Sequence, residues 1–367
     1  MAYAATRGGE AAIGEAERLF REDLPSLTAE RVAMVRRTLP YLVDRAMGEA
    51  SLYEPDLAAL AIAQAGGDLY EAVLLLRAYR TTQPRLWTAE AVRHSDIFTV
   101  RRISAAFKDI PGGQILGPTL DYSHRLLKVG VLSGETEAAD PVTPRPVPAP
   151  PTQPALVDWQ REHGLVADTR AESVPLDEIP DVTRDGLLFP APRAHRLQTL
   201  ARGDTGGMLA LGYANMRGYG PTHPTVNDLR LGEAEVRLRH PRGTVFSAGR
   251  VRVSEAEMVS KAASGGTLEL GFCATFGWNE VKTIAGATLD LSMHFESDYP
   301  AASEEFVLYH TEPTEASGFC IHFKMPHYVT FQSSLDALRG ANTDRPAKGR
   351  AGDAAPDPAK AVEEIVS

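Results

Sequence analysis

The chain has 367 residues, 43% hydrophobic and 23% charged, which is typical of a globular protein of about two domains. Its 38 basic and 48 acidic residues give a formal net charge of −10, which argues against nucleic acid or an anionic membrane as the main partner. No apolar stretch approaches the roughly 20 residues of a membrane span, and no secretion signal is evident. Two cysteines are too few for a disulfide framework, so a cytoplasmic location is expected.

Residues 1–133 have the pattern of a mainly helical N-terminal region. Thr28 is the predicted N-cap of a helix whose apolar residues recur at the 3.6-residue period through Ala46. Two more helices are predicted at 57–65 and 69–79. A Pro-rich linker or insertion follows over residues 134–155, because prolines favour an extended conformation.

Residues 156–339 have the pattern of an α+β C-terminal region. Period-two alternation predicts strands at 234–239 and 268–276, and a further strand pair is predicted at 305–310 and 318–324. Helices are predicted at 279–293 and from Val329 to Arg339, with Gly340 as the stop of the second. Helices followed by strands favour the α+β class, with a mixed or antiparallel sheet and packed helices. Residues 340–367 are predicted to be a mobile tail.

Two histidines in residues 318–330 are the candidate metal pair. If the predicted strand ends at Pro326, the chain can fold back and aim His322 and His327 at one point. Zinc sites usually have three or four ligands, so a third would come from Cys320, His310 or a partner chain. The alternative is a pair of unrelated surface or core histidines.

A glycine turn at residues 111–113 is a candidate anion site. Its main-chain N–H groups could approach an anion, beside Arg101, Arg102 and Lys108. The turn lacks the GK[ST] ending of a Walker A loop. Asp109, Asp121 and His124 add acid–base capacity nearby in the sequence. The alternative is an ordinary Gly-Pro turn with solvated charges.

A third cluster extends from Asp204 to His223. Arg217 could form two hydrogen bonds to a phosphate or carboxylate, and the glycines beside Tyr219 permit close backbone approach. The alternative is a glycine-rich loop between core elements. The two cysteines are predicted to be buried core residues rather than nucleophiles.

Several segments together resemble one family, subunit I (PhnI) of the bacterial carbon–phosphorus lyase core complex. They cover most of the chain outside the Pro-rich insertion and the tail. Arg7 differs from the lysine expected in this family, and residues 234–276 match only weakly. The matching segments are RGGEAAI (7–13), LLLRAYRTT (74–82), RRISAAFKDIPGGQILGPTLDYSHRLL (101–127), RLQTLARGD (196–204), MRGYGPTHP (216–224), EMV (257–259), EEFVLYH (304–310) and GFCIHFKMPHYVTFQ (318–332).

The resemblance implies an enzyme subunit of phosphonate metabolism that works with partners. Such subunits, with subunits G, H and L, displace the base of ATP or GTP by an alkylphosphonate, giving ribose 1-alkylphosphonate 5-triphosphate. Alone they resemble nucleosidases. The resemblance also implies Zn²⁺ at the interface with the lyase subunit J, held by His322 and His327, a further partner K, and two copies in a symmetric complex.

Base displacement needs three kinds of group, because it passes through an oxocarbenium-like state. The leaving base needs an acid, for which His124 and His223 are candidates. The sugar cation needs a carboxylate, with Asp109, Asp121 and Asp204 as candidates. The triphosphate, with Mg²⁺, needs cations or N–H groups. The candidate substrate-binding residues are Lys108, Gly112, Gly113, Gln114, Arg217 and Tyr219.

Two other functions are compatible with the residues. A non-catalytic scaffold that binds partners, nucleotide and metal fits the acidic composition, the Pro-rich insertion and a metal pair with only two local ligands. A stand-alone metal hydrolase is disfavoured, because no complete three-ligand motif is present.

Overall fold

The structure, a computed structural model, describes residues 9–136, 153–166, 178–262, 265–324 and 328–343. Leu24–Gly318 forms one compact unit, and the described parts of 1–23 and 319–367 belong to a second unit. His327, Arg7, and most of the predicted Pro-rich linker and tail lie outside the described residues.

The described residues contain twelve α-helices, joined by turns and short irregular segments. Helices α2–α5 form a helical layer, as expected for this part of the sequence. Their bounds are α1 (Gly9–Glu22), α2 (Ala29–Thr38), α3 (Pro40–Ala50), α4 (Pro55–Gln64), α5 (Leu69–Thr81), α6 (Leu156–Glu162), α7 (Arg193–Ala201), α8 (Thr205–Ala214), α9 (Glu280–Ser292), α10 (Glu304–His310), α11 (Pro313–Lys324) and α12 (Tyr328–Thr343).

Four strands form one sheet in sequence order, β1 (Phe98–Ile103), β2 (Thr225–Arg239), β3 (Val245–Lys261) and β4 (Leu268–Phe276). Every neighbouring pair is antiparallel. The long β2–β3 hairpin closes at residues 240–244. Strand β1 pairs with the other edge of β2, although it lies in the region predicted as mainly helical. The α+β prediction is confirmed.

Local signals set the helix boundaries. Thr28 is the N-cap of α2, where its hydroxyl accepts from the Arg31 N–H at 3.2 Å. The single helix expected through Ala46 is instead two helices, because Pro40 lacks an N–H and disfavours a helical Leu39. Pro40 then begins α3, a position that suits proline.

The core has two parts within the larger unit. The helical part packs α2–α5 around side chains such as Met47, Ile62 and Leu76. The second part packs α9 against one face of the sheet, with Met258 and Cys273 among its buried residues. Since Cys273 is buried as expected and Cys320 is exposed, the prediction for the cysteines is right for the first and wrong for the second.

The predicted strands at 305–310 and 318–324 are wrong, because both segments are helical. Ser303 caps α10, accepting from the Phe306 N–H at 3.3 Å. In α11 the rings of Phe319 and Phe323 are exposed and pack against each other four residues apart, with centroids separated by 4.9 Å. Alternating apolar residues over so short a segment fit either structure. Gly340 does not stop the last helix, which ends at Thr343.

Candidate active site

The predicted anion-binding segment is present as a turn at residues 111–113. Gly112 and Gly113 have φ angles of +81° and +75°, which side-chain-bearing residues rarely adopt. A Cβ atom on Gly112 would overlap the Gln153 amide oxygen, so close packing requires glycine there. The Gly113 N–H donates to the Ile110 carbonyl at 2.9 Å and is therefore not available to an anion.

Gln114 holds the preceding loop in place. Its side-chain oxygen accepts from the Ser104 N–H at 3.2 Å, and its amide nitrogen donates to the Lys108 carbonyl at 3.0 Å. These bonds give Gln114 a structural part in shaping the loop. Lys108 and Asp109 themselves are exposed at the surface.

Arg101 and Arg102 were expected to flank the turn, but both are buried in ion pairs. Arg101 donates to Asp121 at 2.8 Å and also pairs with Glu280. Arg102 donates to Asp228 at 2.8 Å. Arg101 therefore ties the loop that carries Asp121 to the beginning of α9.

Asp121 is fixed by three donors. Besides Arg101, it accepts from Arg125 at 3.0 Å and from the Thr119 hydroxyl at 2.7 Å. Its carboxylate remains half-exposed. His124, three residues further along the same loop, is exposed.

Asp204 is the N-cap of α8. Its carboxylate accepts from the Gly207 N–H at 2.6 Å and from Arg45 at 3.3 Å. Arg45 also donates to the buried Glu49 at 2.7 Å, and Glu49 accepts from the Thr205 hydroxyl at 2.7 Å. The start of α8 is thus joined to α3 by a network of charged groups.

Three of these residues, Arg45, Asp121 and Thr205, line a cleft beside the N-terminus of α9, which we call the α9 cleft. Its volume is about 250 Å³. Asp121 forms part of its wall, and Thr205, next to Asp204, forms another part. Cations, carboxylates and aromatic rings all border it. The residues that line it are Tyr41, Arg45, Pro118, Thr119, Leu120, Asp121, Thr205, Leu231, Trp278, Asn279, Glu280, Val281 and Lys282.

Lys282 is the most unusual group in the α9 cleft. The residue is only 1% exposed, and among the residues that the structure describes its Nζ has no hydrogen-bond partner. Burial lowers its pKa to about 8, although the charge of Glu49 acts in the opposite direction. Sequence analysis did not identify this residue.

His223 lies in a different place, the strand-end cleft of about 780 Å³, which Phe107, Thr222 and Phe295 also line. Phe295 follows the C-terminal end of α9, whereas the α9 cleft lies at the helix N-terminus. A helix of 13 residues is about 20 Å long. His223 and Asp121 therefore lie at opposite ends of α9.

Arg217 and Tyr219 lie on a π-helical turn, Asn215–Tyr219, that follows α8. Both side chains are exposed, and the Arg217 guanidinium lies over the Tyr213 ring at 5.8 Å from its centroid. Neither residue lines the α9 cleft or the strand-end cleft.

The candidate metal pair is only partly described. His322 lies on the exposed α11 helix together with Cys320, and His327 lies outside the described residues. Within the described ranges, no group of three or more His, Cys, Asp or Glu side chains could hold a metal ion.

A third cavity of about 940 Å³ lies along the other face of the sheet, opposite α9. Its walls are mainly apolar, and its polar groups include Glu255, Glu257 and His94. His94 Nδ1 contacts Glu255. Burial and, after it, the nearby Asp228 charge together raise the pKa of Glu257 to about 7.

Similarity to known proteins identifies the family of this chain. Residues 2–345 match the family model described as "Bacterial phosphonate metabolism protein (PhnI)". The chain belongs to the PhnI family. Among its relatives is the "Alpha-D-ribose 1-methylphosphonate 5-triphosphate synthase subunit PhnI" of Rhizobium meliloti (strain 1021), 41% identical over 354 residues, which are 92% of this chain and 94% of the relative.

Two further relatives of the PhnI family agree with this assignment. The Escherichia coli (strain K12) synthase subunit of the same name is 37% identical over 359 residues, 92% of this chain and 97% of the relative. A "Putative C-P lyase subunit protein HtxH" of Stutzerimonas stutzeri is 42% identical over 360 residues, covering 92% and 95%. The chain is therefore a PhnI-family subunit of phosphonate metabolism. None of the helices described here is long and apolar enough to span a bilayer.

Sequence reasoning missed two of the groups with the most perturbed pKa values. Lys282 lies in the first turn of a helix, where a lysine is ordinary, and its neighbours Glu49, Arg77 and Cys273 come from other elements. Glu257 could have been noticed, because it and Glu255 alternate with the apolar Ala256 and Met258, a pattern typical of a strand.

Proposed function

We propose that this chain carries the ribosyl-transfer step of the carbon–phosphorus lyase system. In this step an alkylphosphonate displaces the purine base of ATP or GTP, and in the absence of the phosphonate water takes its place. Two relatives are named as subunits of a ribose 1-methylphosphonate 5-triphosphate synthase, which supports the reaction class. The partner subunits would be those of the same complex, G, H, J, K and L, and two copies of this chain would be present.

The observation that carries the proposal is the composition of the α9 cleft. A fixed carboxylate, Asp121, lies there with two cations, Arg45 and Lys282, and with the aromatic side chains of Tyr41 and Trp278. Rings of this kind can stack on a purine, and the cations can bind its phosphate groups or the phosphonate.

In the proposed mechanism Asp121 stabilises the positive charge that develops at C1′ of the ribose. Its bonds to Arg101 and Thr119 hold the carboxylate in one orientation, so little reorganisation is needed as charge develops. Asp204 acts less directly, by capping α8 and orienting Arg45. His124, on the same loop as Asp121, is the proposed acid for the leaving base.

The triphosphate would lie toward the surface, with Mg²⁺. Mg²⁺ retains several waters and bridges phosphate oxygens, so it needs few protein ligands. Lys108 and the main-chain N–H of the exposed Gly112 are proposed as contacts outside the α9 cleft, since the Gly113 N–H is already bonded to the Ile110 carbonyl. Arg217 and Tyr219 are exposed and remain candidates for the same group.

Zinc is proposed as a cofactor shared with a partner subunit. One described histidine, His322, lies on an exposed helix, and zinc usually takes three or four ligands. A zinc site that includes His322 would therefore need His327 and at least one ligand from another chain. Bound there, zinc would act as a Lewis acid or hold the two chains together.

A scaffold function is the second candidate, because an exposed apolar segment favours it. Over residues 116–132 several large apolar side chains are exposed, and Leu132 reaches 92%. Exposed apolar surface of this extent commonly marks a protein interface. The other members of the segment are Leu116, Leu120, Tyr122, Leu126, Leu127, Val129 and Val131.

Base release from ATP or GTP distinguishes the two functions. The full chain is incubated with Mg²⁺ and nucleotide, with and without partner subunits and methylphosphonate, and free base is measured by chromatography. We expect Asp121→Asn to reduce base release by at least about a hundredfold, in line with the loss of a group that stabilises transition-state charge. Asp204→Asn, which retains a capping side chain, should have a smaller effect.

Asp109→Asn is the matched control, because Asp109 is exposed and lies outside the α9 cleft. Full base release by Asp121→Asn would refute the assignment of the α9 cleft. Intact nucleotide under every condition, including the complete complex, would favour the scaffold function.

A further inference from the structure

We propose that Lys282, Arg45 and the first turn of α9 form a binding site for a tetrahedral oxyanion, with Lys282 as its deciding residue. The site itself is argued from the geometry of the α9 cleft. The identity of the anion rests on the proposed function, in which it is the alkylphosphonate. A phosphate group of the nucleotide has the same chemistry and is the other possible source.

The first turn of α9 supplies N–H donors. The helix has 13 residues, and the first N–H groups of any helix have no acceptor within it, where the helix dipole is also positive. Asn279, at the N-cap, does not cap them. Its side-chain nitrogen donates instead to the carbonyls of Asp44 at 3.1 Å and Phe276 at 2.8 Å. Glu280 and Val281, in the first turn, line the cleft.

Lys282 supplies a buried charge that lacks a partner. Its Nζ is buried and has no hydrogen bond within the described part of the chain. Four groups act on it from neighbouring elements: Glu49 favours the ammonium, Arg45 and Arg77 disfavour it, and Cys273 is a neutral thiol with a pKa raised to about 12 by burial. Because an isolated buried ammonium is unfavourable, an anion bound beside it would provide the missing interaction.

The carboxylates of the cleft do not fill this role. Asp121 and Glu280 both pair with Arg101, and Glu49 is held by Arg45 and Thr205. Arg45, about one third exposed, is the second cation within the cleft. The cleft volume of about 250 Å³ corresponds to roughly eight waters at about 30 Å³ each, which is enough for an oxyanion and the group attached to it.

Isothermal titration calorimetry of the full chain, alone and in its complex, tests the site with methylphosphonate, inorganic phosphate and ATP. We expect Lys282→Met to weaken oxyanion binding by about tenfold or more, the usual effect of losing a charged hydrogen bond. Lys282→Arg should bind within a few-fold of the wild type. Lys261→Met removes an exposed lysine at the end of β3 and serves as the control.

Proton uptake gives a second readout. At pH 8 about half of the Lys282 side chains are neutral, since the pKa is about 8, and anion binding should therefore take up about half a proton. Titrations in buffers of different ionisation enthalpy measure this number. Lys282→Arg should bind with less uptake, because arginine is already protonated at this pH. The ligand's own protons cancel in the comparison.

The outcomes are separable from those of the proposed function. Binding that depends on Lys282 without base release would support the anion site and remove the ribosyl-transfer step. If base is released but the wild type and Lys282→Met bind the oxyanion equally well, the anion site would be overturned and the proposed function would stand. Absence of oxyanion binding to the wild type, alone and in complex, would also overturn it. Lys282-dependent binding of ATP only would assign the site to the nucleotide.

Discussion

Glu257 lies on β3, where burial and the nearby Asp228 raise its pKa to about 7. Asn227 donates to its carboxylate at 2.8 Å. Between about pH 4.5 and pH 7 the folded chain holds a proton that the unfolded chain has released, so the free energy of unfolding falls as the pH rises. The rise of the pKa from the ordinary glutamate value of 4.5 to about 7 corresponds to about 3 kcal/mol in total.

We therefore expect Glu257→Gln to be more stable than the wild type at pH 8, by up to about 3 kcal/mol, and nearly equal to it at pH 4.5. Glutamine has the same shape and still accepts from Asn227, so the difference isolates the titration. Urea unfolding at the two pH values measures it. Glu235→Gln, at an exposed position on β2, is the control. Equal stabilities of Glu257→Gln and the wild type at pH 8 would contradict this role of Glu257.

Single residues show how far the sequence alone could go. Thr28 as a helix cap was predictable, because a cap is a local hydrogen bond between neighbours in the chain. The environment of Lys282 was not, because it depends on Glu49 and Arg77, which are more than two hundred residues away in the sequence. Clusters of this kind form only when distant elements pack together.

At the scale of elements, the contact of α9 with the sheet depends on Gly271 in β4. A Cβ atom at this position would overlap the Ala287 carbonyl oxygen and approach Leu291 Cβ to 2.6 Å. Because the obstacle includes main-chain atoms, a larger residue must push the helix away. We expect Gly271→Ala to lower the free energy of unfolding by about 2 kcal/mol or more, measured by chemical denaturation.

Gly266→Ala is the matched control, since a Cβ atom there would meet nothing within 4 Å. It should leave stability nearly unchanged. Because Lys282 also belongs to α9, Gly271→Ala should in addition disturb the α9 cleft. Equal stability of the two variants would mean that the helix is free to shift away from β4.

The elements themselves were predictable in proportion to their local signals. The strand at 268–276 and the helix near 279–293 follow clear periodicities and are confirmed. The strand predicted at 318–324 is wrong, because the apolar side chains that alternate there belong to an exposed helix rather than to a buried strand. Alternation predicts a strand only where one face is buried, and burial is not a property of the segment itself.

For the molecule as a whole, the candidate chemistries belong to different units. The α9 cleft lies within Leu24–Gly318, whereas His322 belongs to the unit that includes residues 319–367. The family resemblance indicated both chemistries in one chain. The division into units could not be predicted from the sequence, because the described residues before Leu24 group with described residues after Gly318, across more than 290 residues of intervening chain.

This division leads to a separation-of-function prediction for the zinc ligands. We expect His322→Ala to reduce the zinc content of the assembled complex and to abolish phosphonate cleavage, because a site with few ligands binds zinc weakly after losing one. Base release should remain, because the α9 cleft does not include His322. Metal analysis, a cleavage assay and a base-release assay measure the three properties.

Lys324→Ala, on the same exposed helix, is the control. Zinc content equal to that of the wild type in His322→Ala would remove His322 from the metal site, and loss of base release would contradict the independence of the two sites.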